Sequence, residues 1–248
     1  MQMYRQPLLF QEYPQLVAAE STRHGGVSPA PYASLNLGKS TADAAEHVTE
    51  NRRRFCTALG FLPGGLAWSK QVHGADIRLV DSPGGSAGYD AFISRTPGVV
   101  LSVSVADCAP VLVFDRKNRA VAAIHAGWRG AAAGIVGNTL AAMAGHFGTL
   151  GRDCLAYVGT CIDECSFEVG QEVADAFGPD FKRYDPERGK FFVDLKKACA
   201  AQLQAFGIPV PQIEISPYST ILNNADYFSH RKGNGATGRM LAVIGLKQ

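Results

Sequence analysis

Three short apolar runs, Val99–Val105, Val111–Phe114 and Ala120–Ile124, follow one another with little between them. Runs of this length, rich in β-branched residues, read as buried strands rather than helices. Asp107 and Pro110 interrupt the stretch from Val99 to Phe114, so it cannot cross a bilayer as one helix. Helical signals flank these strands. Asp43 with Glu46 three residues later reads as a capping box, opening a helix with Val48, Phe55 and Leu59 on one side and an end near Gly60. Gly127 and Gly130 mark a sharp turn after the third strand. Val136, Leu140, Met143 and Phe147 then recur at helical intervals. Leu155–Val158 reads as a strand, and Asp194 caps a helix running to about Phe206. Gln212–Ile215 is a further strand, and Arg239–Leu246 closes the sheet. Strands and helices mixed along one chain give an α/β or α+β domain.

The 248 residues are 46% hydrophobic and 19% charged, which excludes a disordered chain. A chain of this size buries roughly 70–75% of its unfolded surface, enough for a core without staples. The formal charge of +2 argues against a nucleic-acid partner, and the triplet Arg52-Arg53-Arg54 is expected along the solvated side of its helix. There is no internal repeat, and the Gly-rich stretch Asp81–Asp90 is expected as a surface loop. The first twenty residues lack a signal peptide's apolar core, so the expected location is the cytoplasm, with no membrane partner and six reduced cysteines. The four-residue spacing of Cys161 and Cys165 fits coincidence better than a metal site.

His125 ends a strand just before the Gly127 turn, and Cys108 holds the equivalent place after its own strand. Each alone reads as a structural residue. His73, in Lys-Gln-Val-His-Gly, is a third residue of this kind. Two imidazoles and a thiolate suit zinc, and three protein ligands leave a fourth position open for chemistry. Beside them, Gly127-Trp128-Arg129-Gly130 leads into a helix whose first amides lack internal partners. With the Arg129 guanidinium this start could hold phosphate, or Arg129 could pair with a structural carboxylate. Asp107 reads equally as an orienting or acid–base group and as a turn cap.

Thr-Arg-His-Gly-Gly-Val-Ser near residue 22, Ser-Leu-Asn-Leu-Gly at 34–38 and Lys-Gln-Val-His-Gly at 70–74 resemble the bacterial laccase-domain family. So do Ala-Asp-Cys-Ala-Pro-Val at 106–111, His-Ala-Gly-Trp-Arg-Gly at 125–130 and Tyr-Phe-Ser-His-Arg…Thr-Gly-Arg at 227–239. Their order and spacing cover nearly the whole chain. The family was first labelled polyphenol oxidase or laccase and is now regarded as zinc-containing purine nucleoside phosphorylases. The attributed reactions are phosphorolysis of adenosine, inosine, guanosine and methylthioadenosine, with adenosine deamination beside it. The resemblance implies zinc on His73, Cys108 and His125, and a single α/β (α+β) domain over residues 1–248 with mixed sheets packed between helices. Within its motifs Asp107 and Arg129 are the expected catalytic residues, and Arg23, Asn36 and Lys70 the expected substrate-binding ones. Two places depart from the family pattern, Gly159-Thr160-Cys161 and His230-Arg231, and both are expected to alter the pocket wall.

Phosphorolysis needs phosphate held in line and charge on the departing purine neutralised. Deamination connects directly with zinc, which activates water. The runner-up is a metal-free cysteine hydrolase with Cys108 as nucleophile and His125 as base. A copper polyphenol oxidase also uses two histidines and a cysteine, but its further coppers need more histidines than the six present.

Overall fold

The structure is a computed structural model that describes residues 2–248. In chain order its strands are β1 (Tyr4–Arg5), β2 (Leu16–Ser21), β3 (Leu66–Lys70), β4 (Ile77–Leu79), β5 (Gly84–Ala87), β6 (Ala91–Ser94), β7 (Val100–Val105), β8 (Ala109–Asp115), β9 (Ala120–Ala126), β10 (Cys154–Val158), β11 (Glu168–Val169), β12 (Lys182–Asp185), β13 (Lys190–Val193), β14 (Ile213–Ile215) and β15 (Met240–Leu246). The helices are α1 (Ala45–Ala58), α2 (Trp128–Ala132), α3 (Ile135–Phe147), α4 (Gln171–Ala174) and α5 (Leu195–Ala205).

One six-stranded sheet has the order β1-β2-β15-β7-β3-β5, a second β14-β10-β8-β9-β6-β4, and a small third β11-β13-β12. Both large sheets are mixed. In the first, β15 runs antiparallel to β7 while β3 runs parallel to it. In the second, β8 and β9 are antiparallel while β4 and β6 are parallel.

The strand period of two explains the layering. Leu101 and Val103 of β7 point between the sheets, where they meet Leu112, Phe114, Val121 and Ala123 of the second sheet. Val100 points the other way, into a cluster with Phe55 and Cys56 of α1. On the far face of the second sheet, Val136, Leu140 and Met143 of α3 and Leu203 of α5 cover Val111, Val113 and Ile124. Each fully buried side chain of this size contributes about 1.5–3 kcal/mol relative to exposure. The result is the expected mixed α/β architecture, two sheets packed face to face between helices. No helix among the described residues is long and apolar enough to cross a membrane.

Three local expectations change. Ala44 is the N-cap of α1, with no side-chain cap. Asp43 instead accepts hydrogen bonds from Ser28 Oγ (2.6 Å) and Asn36 Nδ2 (2.9 Å), so the polar loop ahead of the helix takes the carboxylate that the capping-box pattern assigns to the helix amides. The Gly-rich stretch is not all loop, because Gly84–Ala87 adds a parallel edge strand to β3. Glycine is needed at 85, where a Cβ would lie 2.5 Å from the Trp68 ring. The arginine triplet splits as well. Arg53 and Arg54 pair with Glu50 on the surface, whereas Arg52 is buried on the same side as Val48 and Phe55.

Candidate functional site

Strand register assembles the metal-binding residue types. Ala109 pairs with Ala126 and Pro110 with His125, so Cys108 lies one step past the ladder, across from Gly127. On the other side of β9, Ala91 pairs with Ile124, which sets Asp90 beside His125. His73 arrives on the turn between β3 and β4 with a left-handed backbone (φ 60°). The donor atoms of His73, Cys108 and His125 all lie within 4.8 Å of one another, the one such group of three or more among the described residues. The two imidazole rings meet edge to face at 4.9 Å between centroids.

Asp90 organises both histidines, and no local pattern marks it beyond its place at the end of the Gly-rich stretch. Its fully buried carboxylate accepts hydrogen bonds from His125 Nδ1 (2.7 Å) and from the amides of Val72 (3.1 Å), His73 (3.0 Å) and Gly74 (2.9 Å). Burial opposes its charge, but the His125 contact and these amides hold the carboxyl below the usual range. Binding through Nδ1 leaves His125 Nε2 free to face Cys108. Burial also opposes ionisation of Cys108, yet the neighbouring His125 and hydrogen bonds from His125 and His73 bring the thiol down to about 6. Burial would likewise discharge His125, but Cys108 and Asp90 lift it to about 9. The paired imidazoles thus favour the thiolate over the thiol at Cys108.

Two glycines give the cluster room. A Cβ on Gly127 would lie 3.1 Å from the His73 ring and 3.2 Å from Cys108 Sγ, so a side chain there would fill the cradle. A Cβ on Gly130 would meet the Gly74 carbonyl at 2.7 Å, so α2 could not close onto the His73 turn. Ligand atoms on tetrahedral zinc are about 3.5 Å apart, since metal bonds run about 2.0–2.3 Å. Two nitrogens and a thiolate within 4.8 Å, one histidine fixed by a buried carboxylate and an open side toward the cavity fit a three-ligand metal centre.

The centre opens into a cavity of about 490 Å³. Trp68 and Arg52 stand toward the α1 end, and Cys108, His125 and Trp128 toward the ends of β8 and β9. Five cationic side chains, Lys39, Arg52, Arg129, Arg231 and Arg239, line it against one carboxylate, Asp107.

Residues 17–247 match a family described as multi-copper polyphenol oxidoreductase laccase. The chain belongs to this family. It is 40% identical over 240 residues to a purine nucleoside phosphorylase of Bacteroides thetaiotaomicron, covering 90% of this chain and 89% of that protein. It is also 40% identical over 247 residues to the purine nucleoside phosphorylase YfiH of Escherichia coli, covering 96% and 98%. The crystal structure of YlmD from Geobacillus stearothermophilus superposes with a TM-score of 0.91 at 34% identity, over 96% of this chain and 94% of that one.

Within this laccase-domain scaffold the expected site residues separate into two groups. Asp107 and Arg129 line the cavity with the three ligands. Asp107 adopts a left-handed backbone (φ 87°), and its carboxylate accepts from Thr220 Oγ1 (2.5 Å) and the Arg231 amide (2.7 Å). Arg129 is exposed, with its guanidinium 4.3 Å over the Trp128 ring. Arg23, Asn36 and Lys70, expected to bind substrate, do not line the cavity. Arg23 donates to the carbonyls of Ala33 (3.0 Å) and Asn224 (2.9 Å) and ties two loops together. Asn36 is fully buried, donating to Thr41 and Asp43 and accepting from the Gly38 and Arg239 amides. Lys70 ends β3 in solvent.

Of the two departures from the family pattern, His230 and Arg231 do form cavity wall. Thr160 does not. It is fully buried, donating through its amide and hydroxyl to Glu20 of β2.

Proposed function

We propose that the protein is a zinc-dependent purine nucleoside phosphorylase, acting on adenosine, inosine, guanosine and methylthioadenosine, with adenosine deamination at the same centre. The observation that carries this reading is the His73–Cys108–His125 cluster opening into a cavity whose charged lining is five cations against one carboxylate. Relatives at 40% identity that are named purine nucleoside phosphorylases support the substrate class. Zinc suits this donor set, and when bound there it supplies a Lewis acid facing the cavity.

Phosphorolysis joins a phosphate oxygen to ribose C1′ as the bond from C1′ to purine N9 breaks, with its electron pair leaving on the base. The chain's own residues serve each need of that step. The cationic wall binds and orients phosphate, which is the costly part of the reaction in water. Asp107, the one carboxylate on the wall, stands beside the metal ligands as the acid–base group, its position fixed by Thr220 and the Arg231 amide. His73, Cys108 and His125 would hold the metal, and Asp90 keeps His125 in the tautomer that can do so.

Cys108, His125 and Asp90 also form a nucleophile–base–orienter series, and this favours the metal-free cysteine hydrolase as a second reading. Chelation separates the two. Protein purified without chelators should carry about one zinc per chain. It should release free base from inosine only with phosphate present, giving ribose 1-phosphate, and complete zinc removal should abolish turnover. Base release at equal rate without phosphate would make it a hydrolase, and activity surviving zinc removal would favour the thiol mechanism.

A further inference from the structure

We propose that Arg52, Lys39 and Arg239 form an oxyanion subsite in the cavity that takes inorganic phosphate. Arg52 is only 7% exposed and sits on the apolar side of α1. Among its donors, Nε alone has a protein acceptor among the described residues, the Leu37 carbonyl at 2.8 Å. Lys39 Nζ lies 4.0 Å and the Arg52 guanidinium carbon 5.9 Å from the Trp68 ring centroid. Arg239 reaches the same cavity from the start of β15, donating to the carbonyls of Thr237 and Gly238.

None of the three takes part in an ion pair among the described residues, where the pairs are made by other side chains. Burying a cation without a counter-charge costs free energy. Burial indeed pushes Arg52 down to about 10, and burial followed by the Arg52 charge lowers Lys39. A fold retains such a cluster at low cost when an anion occupies it, and a guanidinium fork matches a phosphate edge. Arg239, Arg52 and Lys39 line the same cavity as Cys108, His125 and His73, so the cation wall and the metal centre share one compartment.

The alternative anion position, the start of α2, is poorer. That helix has five residues, and Arg129 beside it is exposed and stacked on Trp128. The assignment of phosphate as occupant rests on the phosphorylase reading, whereas the oxyanion chemistry of the pocket does not.

Calorimetry on the zinc-loaded protein without nucleoside, titrating inorganic phosphate and, separately, a nucleoside 5′-monophosphate, tests it. Arg52→Met should weaken phosphate binding by about tenfold to a hundredfold. The exposed Lys39→Met, which leaves the core intact, should weaken it by about threefold to tenfold. Zinc content should be unchanged in both. Unaltered phosphate affinity in Lys39→Met and in a folded Arg52→Met overturns the subsite, as does a response to the monophosphate alone. If phosphate binding weakens as expected but the wild type shows no phosphorolysis, the subsite stands and the phosphorylase reading falls.

Discussion

Asp90→Asn is the sharpest test of how the metal centre is organised. The substitution keeps the shape of the side chain but replaces one acceptor oxygen with a donor. In the wild type one oxygen receives His73 N and His125 Nδ1, and the other receives Val72 N and Gly74 N. The Asn amide must therefore turn its NH2 toward one of these donor pairs. Facing His125, it drives the imidazole to carry its proton on Nε2, which removes that nitrogen as a ligand. Facing Val72 and Gly74, it leaves two amides unpaired in the turn that carries His73. A hydrogen bond to a charged group is worth about 1.5–3 kcal/mol net, and losing outer-shell partners weakens metal binding by about 10–100-fold. Zinc affinity should fall by that factor, about 1.4–2.7 kcal/mol, measured by competition with a chromophoric chelator. Circular dichroism should show an intact fold. Wild-type zinc affinity in a folded Asp90→Asn protein would refute the role given to this carboxylate.

Gly127→Ala puts a methyl 3.1 Å from the His73 ring and 3.2 Å from Cys108 Sγ, so zinc affinity should drop by about tenfold with little change in melting temperature; unchanged affinity would mean the cradle is looser than its geometry. Burial lifts Glu20 from 4.5 to about 7, against hydrogen bonds from Tyr157 and Thr160 that favour its charge. The raised value contributes stability that is complete below pH 4.5 and lost as pH rises through about 7, a decline of about 3 kcal/mol. Glu20→Gln should flatten that slope in denaturant titrations at several pH values, and a slope equal to the wild type's would place the titrating group elsewhere.

The strand framework was legible because its signals are local. Val99–Val105, Val111–Phe114 and Ala120–Ile124 are apolar and β-branched, and each matches a strand of the structure to within a few residues. The Asp194 cap was legible for the same reason, with its side chain accepting from the Lys197 amide as the pattern requires. The metal-binding trio was visible as residue types at strand ends and a turn, and motif resemblance was needed to weigh it above three structural residues. Asp90 was not visible, because its role arises from the pairing of β6 with β9, and register is a property of two strands. Arg52 was hidden by its neighbours. A run of arginines suggests a solvated face, but position 52 lies four residues from both Val48 and Cys56 and three from Phe55, all buried on α1. Helical periodicity applied to the charges as well as to the apolar residues would have exposed it. Arg23 and Asn36 lie off the cavity wall and bond within the surrounding loops, a placement that their motifs alone do not reveal.

The choice between a metal centre and a thiol nucleophile turns on His73. A thiol enzyme needs one imidazole beside the cysteine and one group to orient it, and His125 with Asp90 already satisfies both. A second imidazole then adds only one more hydrogen bond to the thiolate, yet its placement is costly. His73 takes a left-handed backbone, and Asp107, on the other side of the cluster next to Cys108, takes one too. Residues held in such regions cost of order 1–3 kcal/mol each and persist where surrounding contacts over-determine them. Here the contacts are specific: the carboxylate that orients His125 also binds the His73 amide and both of its neighbours. One buried group thus fixes two imidazoles around one thiolate. That arrangement aims three metal-binding donors at one point, as a single ion requires, whereas a lone thiolate would gain from His73 only one more hydrogen bond.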